Sequence, residues 1–294
     1  MIISTPKIKS TIASPDCREW VPTSLDNLLK EIDHLTKTDA ETDSLTLFRG
    51  QANEEWPLDS TFVRNSIKNI FNIRNYQKIP ISIRHQLSFH RTIASLLLLK
   101  FGGIYKPSQE ALEKEISHGI DPWFELLKNM QQYPEEYDQV DFIKGTFFID
   151  WTYSLDIALY FATYNGIGAE RKTGQIDGAI WLFDSSAVGK ILQIEKLGKI
   201  FKKMTNNEFL NGEAGLPLMF HPIRQTNQRR ATNQTPIYLA QMDFRYDLAD
   251  AWAGFENQAN KWVFVKIRIL NSIKNDLERY LHNKGIDESF VYPH

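Results

Sequence analysis

The sequence predicts a single α+β domain. Three observations predict it. Apolar residues at helical spacing concentrate in the first half, and period-two alternation concentrates in the second. No Ser/Gly linker, low-complexity tract or internal repeat divides the 294 residues. With 42% apolar and 24% charged residues, the chain lies in the globular range and is long enough to bury a full core.

Each element has a local reason. Residues 1–22 read as an N-terminal arm, polar and interrupted by Pro6 and Pro15, and residues 23–294 as the domain. Thr23 or Ser24 can cap a helix whose Leu25, Leu28, Leu29, Ile32 and Leu35 form one stripe. The polar segment Thr36–Asp43 separates it from a short strand ending in Phe48-Arg49-Gly50. Residues 51–65 read as a loop with a turn at Pro57. Helices are expected over residues 83–100, over 108–117, and after the Asp121-Pro122 N-cap pair. Residues 134–141 are acidic and loop-like.

Thr146–Thr152 reads as a strand running into a turn, where Ser154 caps the helix Leu155–Thr163. Residues 165–177 form a hairpin-like loop into the strand Gly178–Asp184. Residues 196–233 are polar and less regular. Strands follow at Thr235–Gln241 and Lys261–Ile269, and a last helix, Ser272–Asn283, stops at Gly285.

Charge and cysteine content narrow the function classes. The formal net charge of −2 argues against wholesale binding to nucleic acid or a membrane surface, while leaving room for a local basic groove. Cys17 is the only cysteine, so neither an intrachain disulfide nor a multi-cysteine zinc site can form, as fits a reducing, cytoplasmic setting. The longest apolar run, Ile93–Leu99, is far short of the roughly 20 residues that span a bilayer. His85 and His90 do not share a helix face, and Glu115 with His118 lacks a matching second pair, so no metal site is expected. Neither a Walker A, a GxGxxG nor a Gly-x-Ser-x-Gly pattern is present. The aromatic load is high, with 18 Phe, 11 Tyr and 7 Trp.

Three segments carry groups suited to chemistry. Arg49 ends a strand beside Gly50: a guanidinium fork can bond two phosphate oxygens, and glycine leaves the backbone open to a ligand. The alternative is a solvated or ion-paired arginine. Asp150-Trp151-Thr152-Tyr153-Ser154 puts an acid, an indole, two hydroxyls and a phenol at a strand–turn–helix junction, where helix N–H groups are free. The alternative is a helix cap beside a core tryptophan. Arg229-Arg230 and Gln234 precede a strand and can hold a phosphate or a base edge, or form a solvated loop.

Taken in order, these segments resemble the FRG domain family, named for its Phe/Tyr-Arg-Gly motif. LFRGQANEEWPLDSTFVR is similar to the family's opening block, and Ile149-Asp150-Trp151-Thr152 with Ala158-Leu159-Tyr160-Phe161-Ala162 to its second. Arg230 and Gln234 are similar to a third block, and Gly285-Ile286 with Tyr292-Pro293 to the close. The resemblance covers residues 25–294. It departs from the family at Gln132-Tyr133-Pro134, where a His-Tyr-Gly-type stretch is usual.

The family's layout is similar to that of ADP-ribosyltransferases, which implies a split mixed β-sheet core and NAD as substrate. By that resemblance Arg49, with Gly50 and Arg230, would hold phosphates or ribose. Trp151, Thr152, Tyr153 and Ser154 would line a nicotinamide pocket. Gln234 would stand where a catalytic Glu is usual, and Asp150 could supply the charge Gln234 lacks, or simply cap the turn. The implied product is a modified macromolecule, a protein or nucleic acid, and the implied setting is a bacterial toxin or anti-phage effector. The alternative is a non-catalytic module that binds a nucleotide or nucleic acid.

Overall fold

The computed structural model of the chain describes residues 19–40, 46–64, 145–146, 148–165, 172–173, 176–184, 218–220, 229–241, 247–249 and 263–293. The strands are β1 (Glu19–Trp20), β2 (Thr46–Gln51), β3 (Phe148–Thr152), β4 (Tyr164–Asn165), β5 (Lys172–Thr173), β6 (Gly178–Asp184), β7 (Leu218–Phe220), β8 (Pro236–Ala240) and β9 (Phe264–Ile269). The helices are α1 (Leu25–Ala40), α2 (Leu155–Thr163), α3 (Arg229–Gln234), α4 (Lys274–Asn283) and α5 (Glu288–Val291), and a 3-10 turn, Asn271–Ile273, leads into α4. The helices expected over 83–100, over 108–117 and after 122 lie outside the described residues. Among the described residues no helix is long and apolar enough to cross a membrane.

Seven strands form one mixed sheet in the order β1-β9-β6-β2-β3-β8-β7. Among the described residues only the β1–β9 pairing is parallel. The order of strands follows from their composition. β6 (GAIWLFD), buried along nearly its whole length, is internal, with β2 and β9 on its two sides. β2 and β3 meet at one residue pair only, Phe48 with Thr152, so their ladder does not continue past it.

Alternation along the strands makes two cores. Phe48, Ile180, Leu182, Val265 and Ile267 face α1, α2, α4 and α5. Leu47, Ile149, Trp151, Trp181, Phe183 and Phe264 face the other way, packed with Leu58 and Leu248. α1 buries the expected stripe at Leu28 and Ile32, and Ser24 Oγ accepts the Asn27 N–H at 3.2 Å. α2 is hydrophobic almost all round because it lies directly on the sheet, with Ile157, Ala158, Leu159, Tyr160 and Ala162 all buried.

Glycine makes that approach possible. A Cβ at Gly50 would stand 1.9 Å from the Ala158 carbonyl oxygen, and one at Gly178 would stand 2.3 Å from that of Ala162. Gly50 is therefore explained first by helix packing, not by a ligand's need for open backbone. Gly285, at φ 71°, ends α4 in the left-handed conformation as its sequence position predicts.

Four expectations are corrected. Glu19 and Trp20 belong to the sheet rather than to a loose arm, and the buried Glu19 pairs with Lys266 at 3.4 Å. α1 runs on to Ala40, because Thr, Lys and Asp continue a helix that its apolar face has already fixed. Within the segment read as irregular, residues 218–220 are a strand and residues 229–234 a helix. The last helix opens with a 3-10 turn, and α4 itself begins at Lys274.

Candidate functional site

Where the β2–β3 ladder stops, a cavity of about 250 Å³ opens on the α2 side of the sheet. Arg49, Gly50, Asp150, Trp151, Thr152, Arg230 and Gln234 all contribute to its walls, together with Phe48, Phe161 and Tyr238. Tyr153 and Ser154, expected there, are not among its lining residues.

Arg49 and Asp150 face each other across the parted strands. The Arg49 Nη1 donates to the Asp150 carbonyl oxygen at 2.6 Å, while its enclosed Nε has no hydrogen-bond partner among the described residues. Burial pushes this guanidinium down to about 10, against the pull of the Asp150 carboxylate and helped by the nearby Arg64 cation. It therefore remains charged at neutral pH, with an Nε–H that no described residue accepts, and a buried donor without an acceptor costs free energy. Asp150 is the exposed residue of its strand. The exposed, acidic position inside an otherwise buried run is what alternation produces when a strand edge faces a cleft rather than a helix.

Thr152 is tied into the scaffold. Its hydroxyl donates to the Gln234 carbonyl oxygen at 2.7 Å, lies 3.0 Å from the Thr235 hydroxyl, and accepts the Ser154 N–H at 3.0 Å. Thr235 has φ 42°, a left-handed conformation unusual for a β-branched residue, so this bond network holds a strained junction at the cavity's edge. Ser154 caps α2, its Oγ accepting the Ile157 N–H at 3.4 Å. The cap is the structural alternative read from the sequence.

Trp151 lines the cavity, as expected, with its ring held in the core. Lying between Asp150 and Thr152, it projects to the opposite face, where its ring packs at 5.8 Å from Phe264 and 6.2 Å from Phe183 and is only 2% exposed. Tyr153 packs against the same core, and loss of water raises its phenol above the ordinary value. Phe48, Phe161 and Tyr238 add further aromatic walls, of which Phe161 is the least buried. Their periodicity gave a signal: Tyr238 is cross-strand from Asp150, so it shares that residue's face.

Gln234 lines the cavity, but its side-chain amide is engaged: Nε2 donates to the Val291 carbonyl oxygen at 2.8 Å. Arg230 stands at the exposed rim with its guanidinium 4.9 Å from the centre of the Tyr292 ring. Sequence reasoning passed over Arg64, although it closes the first motif block. Burial lowers its guanidinium, opposed by the Asp59 and Asp150 carboxylates. The segment carrying it is fixed by Gln241, which accepts from the Ser60 N–H at 2.7 Å and donates to Asp59 at 2.9 Å. Among the described residues no three His, Cys, Asp or Glu side chains gather as metal ligands would.

Among the described residues the architecture is thus an α+β fold on a seven-stranded sheet, with a separate β4–β5 pair and a cavity of mixed polar and aromatic lining where β2 and β3 part. No family model matches the chain, and neither does any curated protein or solved structure.

Proposed function

We propose that the chain is an FRG-family protein with an ADP-ribosyltransferase-like site that binds NAD and cleaves its nicotinamide–ribose bond. The observation that carries this reading is the meeting of Arg49, Asp150 and aromatic walls in one cavity where β2 and β3 part. That reaction develops positive charge on the ribose. It needs an anchored phosphate, a flat surface for a ring, and a negative group near the developing cation. The unsatisfied Arg49 Nε suits the first task, the Phe48, Phe161 and Tyr238 faces the second, and the Asp150 carboxylate the third. Gln234 is less suited, being neutral and bonded to Val291.

A cavity of about 250 Å³ is slightly below the range of roughly 300–1,000 Å³ for pockets that engulf a drug-sized ligand. It fits one nucleoside with a phosphate, leaving the rest of NAD to pass out along the Arg230 rim. The acceptor would be a protein or nucleic acid, as for a toxin or anti-phage effector.

The test is incubation with NAD, following nicotinamide release and transfer of label to lysate macromolecules. Asp150→Asn should keep NAD binding and lose at least about 100-fold in turnover, as removal of one charge-stabilising group does elsewhere. Arg49→Ala should lose both. Absence of both nicotinamide release and label transfer in the wild type sinks the enzymatic reading. Binding without turnover would leave the second reading, a nucleotide-binding module, which the engaged Gln234 amide favours.

A further inference from the structure

We propose that Tyr292 is a positioning residue for ligand binding: through its ring and the last helical turn it fixes the Arg230 guanidinium at the mouth of the cavity. The ligand chemistry, a phosphate-bearing nucleotide, rests on the reading above.

α3 has six residues, RRATNQ, with no apolar stripe, and a helix this short is not stable by itself in water. Arg230, Asn233 and Gln234 are spaced i, i+3 and i+4, which puts them on one helix face. All three engage the C-terminal segment. Asn233 Nδ2 donates to the Phe290 carbonyl oxygen at 2.6 Å, Gln234 Nε2 to that of Val291 at 2.8 Å, and Arg230 lies over the Tyr292 ring. The same face carries the cavity's two groups from this helix, Arg230 and Gln234.

The C-terminal segment is itself firmly placed. Val291 is buried, and the Tyr292 ring packs edge-on to Phe161 at 6.3 Å and to Tyr160 at 6.5 Å. Phe161 is a cavity wall, so one aromatic contact chain runs from the wall to the cation at the mouth. An exposed arginine on a fraying helix would lose much of its binding contribution to side-chain freedom. The ring restricts that freedom, and the guanidinium stays exposed at the mouth, where an anion can reach it.

Two measurements test this. The first needs no ligand. The NMR signals of the Arg230 side chain should carry a ring-current shift in the wild type and in Tyr292→Phe, and lose it in Tyr292→Leu. Retention of that shift in Tyr292→Leu overturns the placement.

The second is calorimetry with NAD and with inorganic pyrophosphate on wild type, Y292F, Y292L, R230A and R230A/Y292L. Y292F should bind as the wild type does. Y292L should bind about three- to fivefold more weakly, the scale of one exposed cation–ring contact. In the R230A background Y292L should cost nothing further, whereas a merely structural loss would add to it. Wild-type binding of NAD with Y292L unchanged overturns this proposal alone. Failure of the wild type to bind either probe overturns both it and the nucleotide reading.

Discussion

Gly50 and Gly285 show how one residue type answers to different physical demands. At Gly50 the helix α2 backbone fills the space a side chain would need, with Ala162 N at 2.7 Å as well as Ala158 O at 1.9 Å. Neither is a flexible side-chain end that could swing away. At Gly285 nothing lies within 4 Å, and only the backbone angle is demanding. Gly50→Ala should therefore cost roughly 3 kcal/mol or more, because α2 must lift from the sheet. Gly285→Ala should cost about 1–2 kcal/mol, the penalty of a left-handed alanine. Urea denaturation of both variants measures the contrast, and equal losses would refute the assignment of Gly50 to helix packing. The first-motif arginine and glycine were legible in the sequence as a pair, but not the division of labour between them. Arg49 lines the cavity with an Nε that no described residue satisfies, whereas Gly50 is there chiefly because Ala158 and Ala162 are.

At the scale of elements, legibility tracks how local the cause is. α2 was readable to the residue because its cap, Ser154, and its apolar run are both local. α3 was not, because six residues without an apolar stripe do not hold a helix alone; contacts with residues 290–292 hold it. β1 is two residues long, below any periodicity, and exists through its pairing with β9. α5 depends on its own cap. The Asp287 carboxylate accepts from the Ser289 hydroxyl at 2.7 Å and the Phe290 N–H at 2.9 Å, and these bonds hold its pKa below the ordinary 3.8. Asp287→Ala should destabilise by about 1 kcal/mol, the usual worth of an N-cap. Because the folded pKa is depressed, that stability is present above pH 3.8 and is lost as pH falls through the folded value. The difference in melting temperature between wild type and variant should be full at neutral pH and shrink in acid. A difference that persists unchanged at low pH would mean that the carboxylate's charge is not what caps the helix.

Over the whole molecule, the site joins segments about a hundred residues apart: the Arg49–Asp150 contact spans 101 positions. The sequence placed those residues in one cleft only through the order of their motifs, since no spacing rule links them. Which way Trp151 pointed was decided by alternation within Ile149-Asp150-Trp151, a signal present in the sequence and outweighed by its place at a turn. The same long-range assembly puts a lysine in the interior. Lys274 is fully buried at the start of α4, and its Nζ donates to the Ala52 carbonyl oxygen at 3.2 Å, two residues beyond Gly50. Burial lowers its pKa from 10.5 to about 8, with the Asp177 carboxylate pulling the other way. Asp177 gives that pull little specificity, since it also binds Arg268 and the Asn271 N–H. Between pH 8 and 10.5 the unfolded chain holds this proton and the folded chain releases it, so stability rises with pH across that window. The Tyr153 and Tyr292 phenols, raised above the ordinary 10.0, act in the opposite sense, but only where the unfolded phenols begin to ionise. The interval from pH 8 to about 9.5 is therefore governed by Lys274 among these groups. Denaturation midpoints measured through it should climb for the wild type and stay level for Lys274→Met, which fills the same space without a charge. A wild type whose stability stays level or falls over that interval would show that the ammonium reaches water in the folded chain.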